Sequence, residues 1–181
     1  MLQVEQARKN AREYFGCQGT VYQDQQIPIK EQQFWVDNSV MDLNLVVGLQ
    51  TAFHLYHIWV CDSERDHDYL ENVVYPYLRE VILFWKDYLQ EDEEGILHIP
   101  RSLPYEFHGG YAFNDCLTDH SYLRAVLPIY SKVAEELKLD DDLSDWCDKV
   151  VEKLAPFHPV EVPVDYVSEK NSKGDRVYNN P

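Results

Sequence analysis

Leu43-Asn44-Leu45-Val46-Val47-Gly48-Leu49-Gln50-Thr51-Ala52-Phe53-His54-Leu55-Tyr56-His57-Ile58-Trp59-Val60-Cys61 is the stretch that decides the fold. Within the segment from Asn38 to Cys61, Leu43, Leu45, Val46, Val47, Leu49, Ala52, Phe53, Leu55, Tyr56, Ile58, Trp59 and Val60 cover nearly the whole circumference of a helix. A helix that is apolar all round is stable in water only when neighbours cover most of it. The segment therefore predicts a buried helix with other helices packed around it. Asn38-Ser39 offers an N-cap, and Asp62-Ser63 ends the run.

Downstream, Asp66 to Val74 predicts a short helix, and Pro76 suits the first turn of the next one. Tyr77, Val81, Phe84, Trp85 and Tyr88 then recur at three-to-four spacing and make one apolar stripe. The acidic run Glu91-Asp92-Glu93-Glu94-Gly95 reads as a solvated turn. Ile96 to Cys116, with Pro100, Pro104, Gly109 and Gly110, is too long for a minimal connection, and long ordered loops often carry function. Two amphipathic helices follow. Leu123, Val126, Leu127, Tyr130, Val133, Ala134 and Leu137 stripe the first; Leu143, Trp146, Val150 and Leu154 stripe the second. Asp140, Asp141 and Asp142 bring negative charge to the second one's N-terminus.

Upstream, Gln3 to Phe15 predicts a helix of good formers that stops at Gly16, and Gly16-Cys17-Gln18-Gly19 opens a loop reaching about Trp35. The tail from Ala155 is rich in Pro and Val and reads as the way into another element. The expected fold is all-α: antiparallel helical hairpins, with long loops at one end. No fixed-period repeat is visible.

A length of 181 residues suits one domain or part of a larger one. The formal net charge is −16, and the sixteen Lys and Arg are scattered. Nucleic acid and anionic membranes would be repelled, whereas a neutral sugar is indifferent to this charge. The 13 Tyr and 4 Trp suit cores and sugar clefts alike. Cys17, Cys61, Cys116 and Cys147 are far apart and read as small core residues. His54 and His57 stand three apart, but no third ligand lies at a telling distance, so they read as satisfied core histidines. No metal or organic cofactor is expected. No apolar run approaches the roughly eighteen residues that a membrane span needs. Met1 leads straight into polar and charged residues, unlike a secretory signal.

Chemistry is most plausible in Arg101-Ser102-Leu103-Pro104-Tyr105-Glu106-Phe107. Glycosidic cleavage needs a carboxylic acid to protonate the leaving oxygen and a second carboxylate to activate water or to attack. Glu106 between Tyr105 and Phe107, with Tyr111 nearby, is a candidate acid whose pKa aromatic desolvation would raise. The competing reading is an ordinary surface glutamate. Asn114, Asp115, Thr118, Asp119 and His120 cluster where the loop enters a helix. Capping accounts for Asp115 and Thr118; recognition of sugar hydroxyls is the alternative for Asn114, Asp119 and His120.

Taken together, these segments resemble the (α/α)6 catalytic domain of glycoside hydrolase family 95, known chiefly for inverting α-L-fucosidases with some members acting on α-galactosides. The likeness rests on Ala7-Arg8 to Gly19, with its G-x-x-G, and on Leu43 to Cys61 followed by Asp66 to Leu89 with Tyr75-Pro76. It continues through Gly95-Ile96-Leu97 and Pro100-Arg101-Ser102 to Glu106, then Thr118 to Leu127 and Lys153-Leu154-Ala155-Pro156. The resemblance implies residues 1–181 form about the first half of a six-hairpin toroid. It implies that Glu106 is the general acid, although Tyr105 stands where Pro is usual. It places Trp35, Asp24, Gln25, Arg101, Tyr105, His108, Asn114 and Asp119 among the sugar contacts. After Gly19 this chain has Thr20 to Gln26 instead of the family's H-N-T-D segment, so fucose itself is not implied. The family's general base lies beyond Pro181, so the expected partners are the carbohydrate substrate and the remainder of the domain or an oligomer partner. A secreted or periplasmic location is implied by the family alone. A non-catalytic helical module that holds a glycan or a protein is the rival from another class, and an inactive enzyme-like scaffold is a third possibility.

Overall fold

The computed structural model describes residues 2–22, 43–103, 112, 114–139, 142–157, 169–170 and 176–177. Over these residues the chain is all-α, as its periodicity predicts. The helices are α1 (Leu2–Phe15), α2 (Val47–Cys61), α3 (His67–Tyr69), α4 (Tyr75–Tyr88), α5 (Leu117–Glu136) and α6 (Asp142–Lys153). Two short antiparallel hairpins accompany them: β1 (Gln90–Glu91) with β2 (Leu97–His98), and β3 (Glu169–Lys170) with β4 (Arg176–Val177). No described helix is long and apolar enough to cross a membrane.

The core lies where α2, α4 and α5 meet. Leu49 and Ala52 of α2, Leu78, Ile82 and Trp85 of α4, and Leu123, Leu127 and Tyr130 of α5 are all buried there. Each large apolar side chain so buried contributes about 1.5–3 kcal/mol. α6 adds Leu143, Cys147 and Val150. Arg124 of α5 locks that helix in place: its guanidinium donates to the carbonyls of Val151 at 3.1 Å, Leu154 at 3.0 Å and Ala155 at 2.9 Å. These are C-terminal carbonyls of the kind a helix leaves unpaired, and a cation is also favoured there by the helix dipole.

α1 ends where Gly16 takes φ +68°, and the following segment folds back onto α4. Arg8 forks onto Glu80 at 2.8 and 2.9 Å, Thr20 N–H donates to Glu80 O at 3.0 Å, and Tyr22 stacks on Tyr77.

Several local expectations are corrected. α2 starts at Val47, later than Asn38: Leu45 and Val46 form a turn, and the Asn38-Ser39 cap lies outside the described residues. Most of its apolar circumference is covered: Val47, Phe53, Leu55, Tyr56 and Val60 all pack against the core, and Ile58 is the exception among the large apolar residues of this helix. Leu49, Ala52 and Trp59 are buried, but Ile58 is 58% exposed and Phe53, Leu55, Tyr56 and Val60 are half-buried. Composition states which surfaces gain by burial; it does not supply the neighbour. His54 is exposed and His57 half-buried, each bonded to the carbonyl four residues back, so neither is a core histidine. Cys61 is exposed, unlike Cys17, Cys116 and Cys147. Asp66 does cap a helix, accepting from the Asp68 and Tyr69 N–H groups. That helix does not stop before Pro76: residues Leu70–Val74 form a π turn in which the Tyr75 N–H reaches back to Leu70 O. Pro76 stands in the first turn of α4, where a proline is tolerated, and the chain runs on into that helix. The acidic run is an exposed turn, as expected, but it is the turn of the β1–β2 hairpin, where Asp92 accepts from the N–H groups of Glu94 and Ile96.

Candidate active site

The segment Leu97–Leu103 leads into the loop that carries Glu106, and it is fastened along its whole length. At its start, Leu97 O accepts from Ala155 N–H at 2.9 Å, which ties β2 to the end of α6. Ile99 pairs with Asp115 twice: its N–H donates to Asp115 Oδ1 at 2.7 Å, and its carbonyl accepts from Asp115 N–H at 2.9 Å. Arg101 O accepts from Tyr88 OH of α4 at 2.8 Å. Ser102 Oγ donates to Asp119 Oδ2 at 2.7 Å, and its carbonyl accepts from Cys116 Sγ at 3.2 Å. Leu103 N–H donates to Leu43 O at 2.8 Å. The two stems of the loop, 97–103 and 114–119, are thereby joined to each other.

Asp115 takes φ +54°, a left-handed conformation that Asp tolerates better than most residues. It is not the helix cap that its position suggests. Cys116 occupies that place with no side-chain cap, and Thr118 lies inside the first turn of α5. Asp115 instead gathers two imidazoles: His98 Nδ1 at 2.7 Å and His120 Nε2 at 3.1 Å. His98 Nε2 meets Asp92 at 3.2 Å. With a carboxylate at both ring nitrogens, His98 donates twice only as imidazolium. Its pKa is raised, chiefly by the hydrogen bond to Asp115 and then by Asp92. Burial works against charge on Asp115, yet His98, the Ile99 N–H and His120 hold its carboxyl below the usual range. Asp92 is lowered too, first by the Ile96 N–H. Burial lowers His120.

The sign of the pH effect follows. Since folding raises the His98 pKa, its stabilisation is complete below about pH 6.5 and fades as the pH climbs through the folded value. The lowered carboxylates keep their contribution until the pH falls well into the acid range. His98→Gln is therefore expected to cost more stability at pH 5.5 than at pH 9, read from denaturant midpoints; equal losses at both would refute the imidazolium assignment.

Asp119, in the first turn of α5, is 0% exposed, and burial pushes its carboxyl up to about 7 despite the bond from Ser102. Its Oδ1 has no hydrogen-bond partner among the described residues. Tyr88 is pushed up to about 12 by burial, with the Asp119 charge nearby adding to it.

Among the residues expected to meet a sugar, Arg101 and Asn114 are exposed and Asp119 is buried beneath Ser102. Glu106, Tyr105, His108, Trp35, Asp24 and Gln25 lie outside the described residues. Sequence reasoning missed the joint roles of His98, Ser102 and Asp115, since the partners stand 16 or 17 positions apart. The available signal was a pair of polar clusters flanking one long loop. Among the described residues no group of His, Cys, Asp and Glu has a metal-holding arrangement.

Comparison with known proteins gives one family and no curated relative: no curated protein matches the chain. The model of the glycosyl hydrolase family 95 catalytic domain matches residues 2–162, most of the sequence. The match spans every helix just described together with the loop and both its stems, and on that extent the chain belongs to the glycosyl hydrolase family 95 catalytic domain.

Proposed function

We propose that this domain cleaves an α-linked glycan with inversion, Glu106 protonating the leaving oxygen. A second carboxylate, supplied from outside these 181 residues, activates the water. Family membership makes the function glycoside hydrolase-like and the substrate a carbohydrate. The observation that carries the finer reading is the fastening of the stem just before Glu106. Glu106 follows Leu103, which is hydrogen-bonded and buried, by three residue steps, a reach of no more than about 11 Å. A proton donor must be held close to one geometry, and a braced stem supports that.

Arg101 and Asn114, exposed on the two stems, are taken as sugar contacts, together with Trp35, Asp24, Gln25, Tyr105 and His108. Ile58 of α2, exposed among otherwise packed apolar neighbours, supports the view that a further helix of a toroid packs there. Inversion requires the acid and base carboxyls to stand about 6.5–9.5 Å apart, with water between them.

The stereochemistry is checked by mixing the full-length protein with a 4-nitrophenyl α-L-fucoside or α-galactoside and following the first product by proton NMR. Initial release of the β-anomer, before mutarotation, is expected. Initial release of the α-anomer would show retention and exclude this mechanism.

A further inference from the structure

We propose that a groove between the start of α4 and the end of α5 is an ancillary carbohydrate-binding site, which holds a neutral sugar without cleaving it. The groove has a volume of about 360 Å³, near the small end of ligand sites, roughly 300–1,000 Å³. Its floor is apolar: Tyr75 and Pro76 come from α4, Leu137 and Leu139 from the end of α5. His67, Glu71 and Asn72, all exposed, form the rim. Leu139 is 41% exposed, and a ligand covering it would remove apolar surface from water. Tyr130 stacks on Tyr75 with ring centres 5.8 Å apart and holds that ring in place.

This mixture fits a pyranose. A sugar ring has apolar C–H faces that rest on aromatic or aliphatic surface, and hydroxyls at its edge that donate to carboxylate and amide oxygens. Glu71 supplies two acceptor oxygens. Asn72, whose amide donates to Asp68 O at 2.9 Å, supplies another. Among the described residues no Lys or Arg lines the groove, so a phosphate or sulfate would find no such cation there. Carbohydrate is also the ligand class that family membership brings to this protein.

Two backbone departures meet at the groove. Glu71 and Asn72 lie on the π turn, a rare geometry found often at functional sites. Leu137 and Leu139 flank Lys138, which takes φ +56°, unusual for a residue with a long side chain. Lys138 N–H donates to Glu135 O and Leu139 N–H to Ala134 O, closing α5 in the way that a glycine commonly does. That closure delivers Leu139 to the groove. Strain of this kind gathers at ligand sites, where the surroundings hold it in place. Tyr75 opens α4 and Tyr88, which fastens the loop stem, closes it; groove and stem are thus about 20 Å apart along the helix. Binding in the groove does not depend on which residue protonates the leaving oxygen.

Saturation-transfer NMR of the full-length protein with methyl α-galactoside and methyl α-L-fucoside reads every site that holds these sugars. Their inhibition of 4-nitrophenyl α-glycoside hydrolysis reads the catalytic cleft. Glu71→Ala and Leu139→Asp are each expected to weaken saturable binding of at least one sugar by about tenfold, the size of a lost charged hydrogen bond. Inhibition constants and hydrolysis rates should stay within about threefold of the parent, since no reacting group is changed. Melting temperature should hold, because both side chains are exposed. Should Leu139→Asp melt early, Glu71→Ala carries the comparison. Isotherms that superimpose for parent and variants, or a parent that binds neither sugar, would overturn the proposal. An inhibition constant that rises in step with the loss of binding would put the sugar in the cleft and overturn it too. Groove-dependent binding in a protein that hydrolyses neither glycoside would uphold this site and count against the hydrolase reading instead.

Discussion

Glu106→Gln is expected to reduce kcat on a methyl α-glycoside, whose departing alkoxide must be protonated, by about 10²–10⁴-fold, the range that a positioned proton donor contributes. The substitution keeps the shape of the side chain and removes its acidic proton, so the loss falls on the chemical step. KM should change little, because a carboxamide still fills the space and still hydrogen-bonds. The alkaline limb of the pH–rate profile should move or vanish, since that limb reports the acid that must stay protonated. Melting temperature should hold: the segment's fastening comes from Ser102, Leu103, Arg101 and Ile99, all upstream of the substitution. Steady-state kinetics of the full-length protein with a melting curve supply the check. Turnover within a few-fold of the parent, in a protein that melts normally, would move the acid to another residue.

The second large effect concerns stability. Gly19→Ala is expected to destabilise the protein by about 3–5 kcal/mol, in the range that marks a specific steric fault. Gly19 holds φ +67°, and a Cβ there would stand 2.1 Å from Glu80 O, 2.7 Å from Phe84 N and 2.9 Å from Leu83 Cβ. The two nearest atoms belong to the backbone of α4 and cannot swing aside. The segment would have to lift, endangering the Thr20 N–H bond to Glu80 O, the Gln18 N–H bond to Asp87 at 2.8 Å and the Tyr22–Tyr77 stack. Gly16 is the internal control. It has nearly the same φ, +68°, but nothing lies within 4 Å of its would-be Cβ, so Gly16→Ala should cost only about 1–2 kcal/mol, the left-handed penalty alone. Chemical unfolding of both variants decides it. Similar midpoints would mean that the close approach to α4 is unimportant.

The two glycines also mark how far the sequence can be read. Their placement after a run of helix formers announces the end of α1, because a left-handed residue closes a helix and Gly adopts that conformation freely. Nothing in the sequence distinguishes the roomy Gly16 from the tightly packed Gly19; the difference is made by α4, some sixty positions away. The stripes of α4, α5 and α6 were legible for a related reason: a period of 3.6 is a local property that the chain displays wherever an apolar face is needed. The β1–β2 hairpin was not legible, since two-residue strands are too short to show alternation. Nor was the π turn, whose Tyr75 N–H to Leu70 O bond differs from an α-helical one by a single residue of register that no sequence period announces.

Around the candidate site the same division holds. Arg101 to Phe107 and Asn114 to His120 could be singled out as polar segments bounding a long loop, from residue types alone. Which of them would be an anchor and which exposed could not. Asp115 and Asp119 have the same functional group and stand four positions apart. One became the hub of a His98–His120 cluster near the surface, and the other a sealed acceptor for Ser102. The chain by itself determined that the protein is built of helices, most of them amphipathic, with a long polar-flanked connection between α4 and α5, because periodicity and composition are written in neighbouring residues. Only the tertiary structure decided that the stems of that loop are clasped together and that Ile58 of α2 stays exposed while its apolar neighbours pack, because burial and hydrogen bonding depend on partners that the chain brings together from a distance.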